Sequence, residues 1–227
     1  MNKKCWKYWT FLLNIFGCIQ FIILSFIAMF YYKGGTYLDP SSQGYSFWYN
    51  YFSDLGRIYA HSGNLNLISF LLFAISLSIL GGSQIPFYIA FQNLFSKNEV
   101  MKIISCIGSV FGIFAGIFFI CTALVPSDIS GFWHNLFASF GFGSISISIS
   151  LYTAVIFQND EYPNSYAITC LITSIIWIIF YWALFFIPNN NISTLLFINV
   201  SRQKIILYAL LICGIYQGYG ALRQLHS

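Results

Sequence analysis

Charge is what this sequence has least of. Of its 227 residues only 7% are Asp, Glu, Lys or Arg, six acids against ten bases. Such a chain cannot cover itself with the water-exposed surface of a soluble globular domain. The net charge of +4 is scattered and has no soluble domain to carry it, which argues against a nucleic-acid face. The short motifs of familiar soluble chemistry are missing too: there is no Gly-x-Ser-x-Gly, no His-Glu-x-x-His and no P-loop. Only three histidines occur, and His226 is expected on the opposite face from His61 and His134. That leaves too few on one side for a three-histidine zinc centre, so neither metal nor cofactor is expected. The six cysteines form no C-x-x-C pair. Cys18, Cys106, Cys121, Cys170 and Cys213 fall inside apolar runs and read as small buried side chains, whereas Cys5 stands beside the first run, where acylation occurs.

What the chain has instead is hydrocarbon. It is 58% hydrophobic and 21% aromatic, with a mean hydropathy of +0.74. Six stretches reach the ~20 apolar residues needed to cross a bilayer. They lie near 8–31, 64–85, 101–125, 132–157, 164–187 and 204–222, and they use most of the chain. The expectation is an all-α, polytopic integral membrane protein, one domain over 1–227 built as a bundle of six transmembrane helices. The first run is longer than a signal-peptide core and lacks a small-x-small cleavage site, so it reads as a retained helix. With the N-terminus in the cytoplasm, Lys3, Lys4, Lys7, Lys97, Lys102 and Arg223 fall inside, against Lys33, Arg57, Arg202 and Lys204 outside. That bias places both termini in the cytoplasm.

The longest connection, an outer loop over 33–63, opens with the turn signals Gly34-Gly35 and Asp39-Pro40. It continues with Tyr45, Phe47, Trp48, Tyr49, Tyr51 and Phe52, which favour the headgroup level. Residues 45–60 therefore read as a short helix or re-entrant segment, or else an ordered loop. Pro86 either kinks span two or ends it ahead of an interfacial helix carrying Phe87, Phe91, Leu94 and Phe95. Gly108, Gly112 and Gly116 in span three, and Gly214 and Gly218 in span six, recur at four-residue spacing, as close helix–helix contacts require. Ser144, Ser146, Ser148 and Ser150 alternate with Ile as in a strand, but an unpaired strand is untenable in hydrocarbon, so a central helix is expected. The sequons Asn191-Ile192-Ser193 and Asn199-Val200-Ser201 fall in the last outer loop.

The candidate site is a polar cluster at the outer surface: Ser53, Asp54, Arg57, His61, Asp128 and His134, with Arg202 and Lys204 at the same level. Carboxylate, imidazole and guanidinium together suit a phosphorylated or zwitterionic headgroup. His134 with Asp54 or Asp128 also suits general acid–base catalysis. The structural alternatives are an Asp54–Arg57 ion pair and Asp128 as the cap of span four. A polar ring just inside span four needs a partner, and Asp54 is the carboxylate expected to meet His134. The run Asn50-Tyr51-Phe52-Ser53-Asp54-Leu55-Gly56, with His134 early in span four, resembles the prokaryotic membrane family termed domain of unknown function 998. More distantly the chain resembles the eukaryotic Frag/DRAM-like six-span proteins. The resemblance implies a six-helix bundle with its signature residues on the outer side, and no particular reaction. Three functional readings stand open. The first is a membrane protein binding lipid headgroups in a regulatory or lipid-handling role. The second is a lipid-modifying hydrolase or transferase, and the third is a structural subunit of a membrane complex.

Overall fold

The computed structural model describes residues 3–96, 98–186 and 191–226. Lys97 and the expected turn residues Pro188, Asn189 and Asn190 lie outside them. Most of the described residues are helical, and among them an isolated bridge between Tyr59 and Leu65 stands in place of any strand. Six long helices follow in chain order: α1 Lys3–Tyr31, α2 Leu67–Phe91, α3 Glu99–Leu124, α4 Gly131–Phe157, α5 Asn164–Phe186 and α6 Ile192–His226. Five of them are long and apolar enough to cross a membrane by their described residues, and those of α5 give an apolar stretch over Asn164–Phe180. The Ser-Ile alternation of 144–150 is helical, with Ser146 and Ser150 bonding back to the carbonyls of Phe142 and Ser146.

Local chemistry sets the helix ends. Asn98 accepts from the amides of Val100 and Met101 and starts α3. Asn191 does the same for Ser193 and Thr194 and starts α6. This last start corrects the expected sixth span, since α6 begins twelve residues before 204. Asn191 satisfies the helix's orphan amides, and Asn199, Arg202 and Gln203 keep to one helical face. The expected loop is therefore helix, and the Asn199 sequon lies inside α6, partly buried. Pro86 sits within α2, which runs on through a 3₁₀ turn at Gln92–Phe95, so of the two readings the continuous helix is the one found.

The helices succeed one another around a ring that α6 closes against α1, with the sparsest packing among the described residues where α5 meets α4 and α6. Glycines set the closest approaches. A Cβ on Gly116 would stand 2.5 Å from the Gly81 carbonyl oxygen, and one on Gly112 would enter the Tyr88 ring. On α6, a Cβ on Gly218 would stand 2.7 Å from Ile15 of α1, and one on Gly214 3.0 Å from the Cys18 sulfur. Buried amides pin the same seams: Asn14 donates to Gly214 O at 3.0 Å and Gln20 to Ser76 O at 2.8 Å. Outside the ring the surface is apolar all round, with Phe16, Phe30, Ile75, Ile107, Phe140, Ile172 and Ile212 exposed. A belt of that kind far exceeds the apolar patch of a water-soluble monomer.

Candidate functional site

The connection between α1 and α2 folds down onto one end of the ring, and its polar groups are bonded to one another. Gly34 and Gly35 have φ of 90° and 84°, open only to glycine at low cost. A Cβ on Gly35 would also stand 2.5 Å from the His61 carbonyl carbon, so the two halves of the connection touch here. Residues 45–60 adopt turns and then a single 3₁₀ turn over Phe52–Gly56, which delivers Asp54 inward. The Asp54 carboxylate is 5% exposed. It accepts from Asn50 Nδ2 at 3.1 Å and from the Tyr51 amide at 2.9 Å, and it pairs with His61 Nε2 at 3.2 Å. Asn50 donates in turn to Gly35 O at 3.0 Å. Burial pushes the Tyr32 phenol up to about 12 and Tyr45 well above its usual value, so both remain neutral donors.

Two consecutive residues of α6 fasten this layer from below. Gln203 Oε1 accepts from the Phe52 amide at 2.8 Å. Lys204 is 2% exposed and donates its ammonium to Asn50 O. That ammonium lies over the rings of Tyr45, Phe47 and Phe52, at 5.5, 4.9 and 5.6 Å from their centroids. Three faces of negative π density partly replace the water that burial removes. Asn66, fully buried, bonds the opposite border, accepting from the Lys33 amide and donating to Leu55 O and Arg57 O.

Asp128 comes from the α3–α4 turn and clamps the same connection. Its two oxygens accept from the amides of Ile58 at 3.1 Å and Tyr59 at 2.9 Å. It does not cap α4: the N-cap is Ser130, without a side-chain bond. The turn closes on itself through the Ile129 and Ser130 amides to Pro126 O, which leaves the Asp128 carboxylate free for another segment. Asp128→Asn sets an NH₂ against one of these amides. It is expected to cost about 1–2 kcal/mol and to speed hydrogen exchange at 57–60; unchanged exchange there would remove the clamp.

Arg57 does not pair with Asp54 through its side chain; its Nε donates to Tyr59 O at 3.0 Å. Nor is His134 the imidazole that Asp54 takes. His134 is 3% exposed and places Nδ1 at 2.7 Å from Val125 O, the carbonyl of its own preceding turn. The partner of Asp54 is His61, which the bridge between Tyr59 and Leu65 folds back toward it. Ser53 and His134 do share a space, a small cavity of about 40 Å³ that Thr122 and Gln203 also line. The sequence candidates thus gather at one end of the bundle. Most of their hydrogen bonds go to the backbone of the connection, as befits a clasp.

The open polar space lies elsewhere. A cleft of about 350 Å³ runs between α4 and α6 beside Trp177 of α5, at the sparsely packed seam. On α4 it is lined by Asn135, Ala138, Ser139, Phe142 and Gly143, and on α6 by Asn199, Arg202, Gln203 and Ile206. Both sets follow helical spacing, i, i+3, i+4, i+7. In both, the polar residues stand toward the connection and the apolar ones below, with Tyr51 at the polar end. Arg202 Nη1 and Asn199 Oδ1 are buried and take no hydrogen bond among the described residues. An unpaired charged donor of this kind costs on the order of 1–3 kcal/mol or more. Sequence reasoning placed Arg202 in a loop and so missed the cleft. The signal was the polar stripe on α6 matched by Asn135 and Ser139 on α4.

Comparison with family models, with curated proteins and with solved structures finds no match to this chain. The site is therefore read from its own residues. Among the described residues no group of three His, Cys, Asp or Glu side chains is placed to hold a metal ion.

Proposed function

We propose that this protein is an integral membrane protein, crossing the bilayer six times, that binds a membrane lipid in a regulatory or lipid-handling role. One observation carries the reading: the cleft of about 350 Å³ between α4 and α6, polar toward the connection and apolar below. A lipid has that gradient of polarity, and a cleft bordered by the apolar belt admits it from the side. Both termini in the cytoplasm, with the clasp and the polar end of the cleft outside, belong to the same proposal and rest on the Lys cluster in the first turns of α1. So does membership in the family of domain of unknown function 998, which rests on Ser53-Asp54-Leu55-Gly56 and His134.

Gly143→Phe tests the lipid reading. A Cβ at Gly143 meets open space, so a large side chain can fill the cleft without displacing a helix. Purified from its native membrane in mild detergent, the parent chain is expected to retain a bound lipid detectable by mass spectrometry. Gly143→Phe is expected to lose that lipid and keep its thermal midpoint. Equal retention by both would reject the cleft as the binding site.

A further inference from the structure

Resting on the lipid-binding reading above, we infer that Arg202 is the anchor for the phosphate of a glycerophospholipid, held at the polar end of the cleft between α4 and α6. Among the described residues Arg202 is the one charged residue lining the cleft, and no acid lines it. Its Nη1 is buried without an acceptor among the described residues. The carboxylates at this end of the bundle are already engaged, Asp39 by Ser41, Asp54 by His61, Asn50 and Tyr51, and Asp128 by the amides of Ile58 and Tyr59. An anion that meets Arg202 therefore comes from outside the chain. A guanidinium meets phosphate through two parallel N–H donors, a geometry that an ammonium cannot reproduce.

The neighbours specify more than an anion. Asn135, Ser139 and Asn199 line the same cleft and offer amide and hydroxyl groups of the kind that bond glycerol ester oxygens. One helical turn further on, Phe142, Gly143 and Ile206 give an apolar floor beside Trp177. A soluble phosphate would use the guanidinium and leave that floor empty, whereas a phospholipid uses both. The volume, about 350 Å³, suits a phosphoglycerol group but not two whole acyl chains. The chains then leave along the α5 seam into the belt of exposed apolar residues.

Trp177 supplies the readout. The full chain in a phosphate-free maltoside detergent is titrated with phosphatidylglycerol brominated in its acyl chains, and separately with diacylglycerol carrying the same chains. Quenching is taken as the difference between the parent and Trp177→Phe. The parent is expected to respond to the phospholipid at a concentration lower by about tenfold or more, the worth of a hydrogen bond to a charged group. Arg202→Gln is expected to erase this preference by weakening the phospholipid response, with the diacylglycerol response unchanged. Arg202→Lys, which keeps the charge and loses the fork, should fall between. Should Arg202→Gln and Arg202→Lys both titrate like the parent, Arg202 is no anchor, though the cleft still binds lipid. Displacement of the brominated phospholipid by equimolar glycerol phosphate would make the occupant a soluble phosphate and overturn the inference. Quenching that persists in Gly143→Phe would overturn the lipid site itself and the inference with it.

Discussion

Asp54→Ala is expected to lower the thermal midpoint of the detergent-solubilised protein by on the order of 10 °C. The carboxylate is 5% exposed and is the common acceptor of three donors, Asn50 Nδ2, the Tyr51 amide and His61 Nε2. Truncation leaves all three without it at once. The Lys204 ammonium, 2% exposed, also loses a carboxylate within electrostatic reach. Removing one partner from a buried charged set costs about 3–5 kcal/mol, because what remains is an uncompensated charge. Asp54→Asn should sit between, since its amide oxygen can still accept from Tyr51 while its NH₂ faces donors. The damage should concentrate where Asp54 acts, as faster hydrogen exchange over 34–62 with the exchange of α2 and α3 little changed. A midpoint within about 2 °C of the parent would mean that the connection holds to the bundle without its clasp.

Much of this fold is legible in the sequence, because a segment rich enough in apolar residues has few alternatives to helix. α3, α4 and α5 begin within two residues of where hydropathy puts them. α6 shows where that reasoning stops. A hydropathy average treats Arg202, Gln203 and Lys204 as one polar block and starts the span only at 204. On a helix Arg202 and Gln203 share the face of Asn199 while Lys204 turns away from it, and each meets a different partner. Arg202 lines the cleft, Gln203 reaches the Phe52 amide, and Lys204 enters the aromatic box of the connection. Periodicity carries that information and composition does not. What was legible of the candidate cluster is its gathering, since Ser53, Asp54, His61, Asp128 and His134 all stand at one end of the bundle. Its pairings were not. Choosing between His61 and His134 as the partner of Asp54 needs the fold-back of 57–66, which is fixed by Asn66 and by the Asp128 clamp, both long-range bonds. Asp128 misled for a related reason: a Ser-Asp run before a helix is a capping signal, and only the self-closing Pro126–Ser130 turn frees its carboxylate for another segment.

Gly81→Leu and Gly82→Leu, one residue apart, are expected to behave as opposites. At Gly81 a Cβ would fall on the carbonyl oxygen of Gly116, and the reciprocal Cβ on Gly116 would stand 2.5 Å from Gly81 O. These are backbone contacts, so no rotamer change relieves them. The crossing of α2 and α3 must open, and Ile120, 3.1 Å from the same Cβ, is pushed outward with it. Overpacking a core typically costs about 1–3 kcal/mol when side chains can yield. With two helix backbones in the way the cost should exceed that range, and little folded protein should survive extraction. At Gly82 nothing lies within 4 Å of the added carbon. Leucine there removes a flexible helix position, worth up to about 1 kcal/mol, and adds one more apolar side chain to the surface. Yield and thermal midpoint for Gly82→Leu should match or exceed the parent. Gly112→Leu, whose Cβ meets the ring of Tyr88, should fall between, because a side chain can turn where a backbone cannot. If Gly81→Leu proves as stable as Gly82→Leu in the same detergent, α2 and α3 do not cross at Gly81 and Gly116. The ring order of the helices would then have to be redrawn, and with it the seam that leaves the cleft open beside α5.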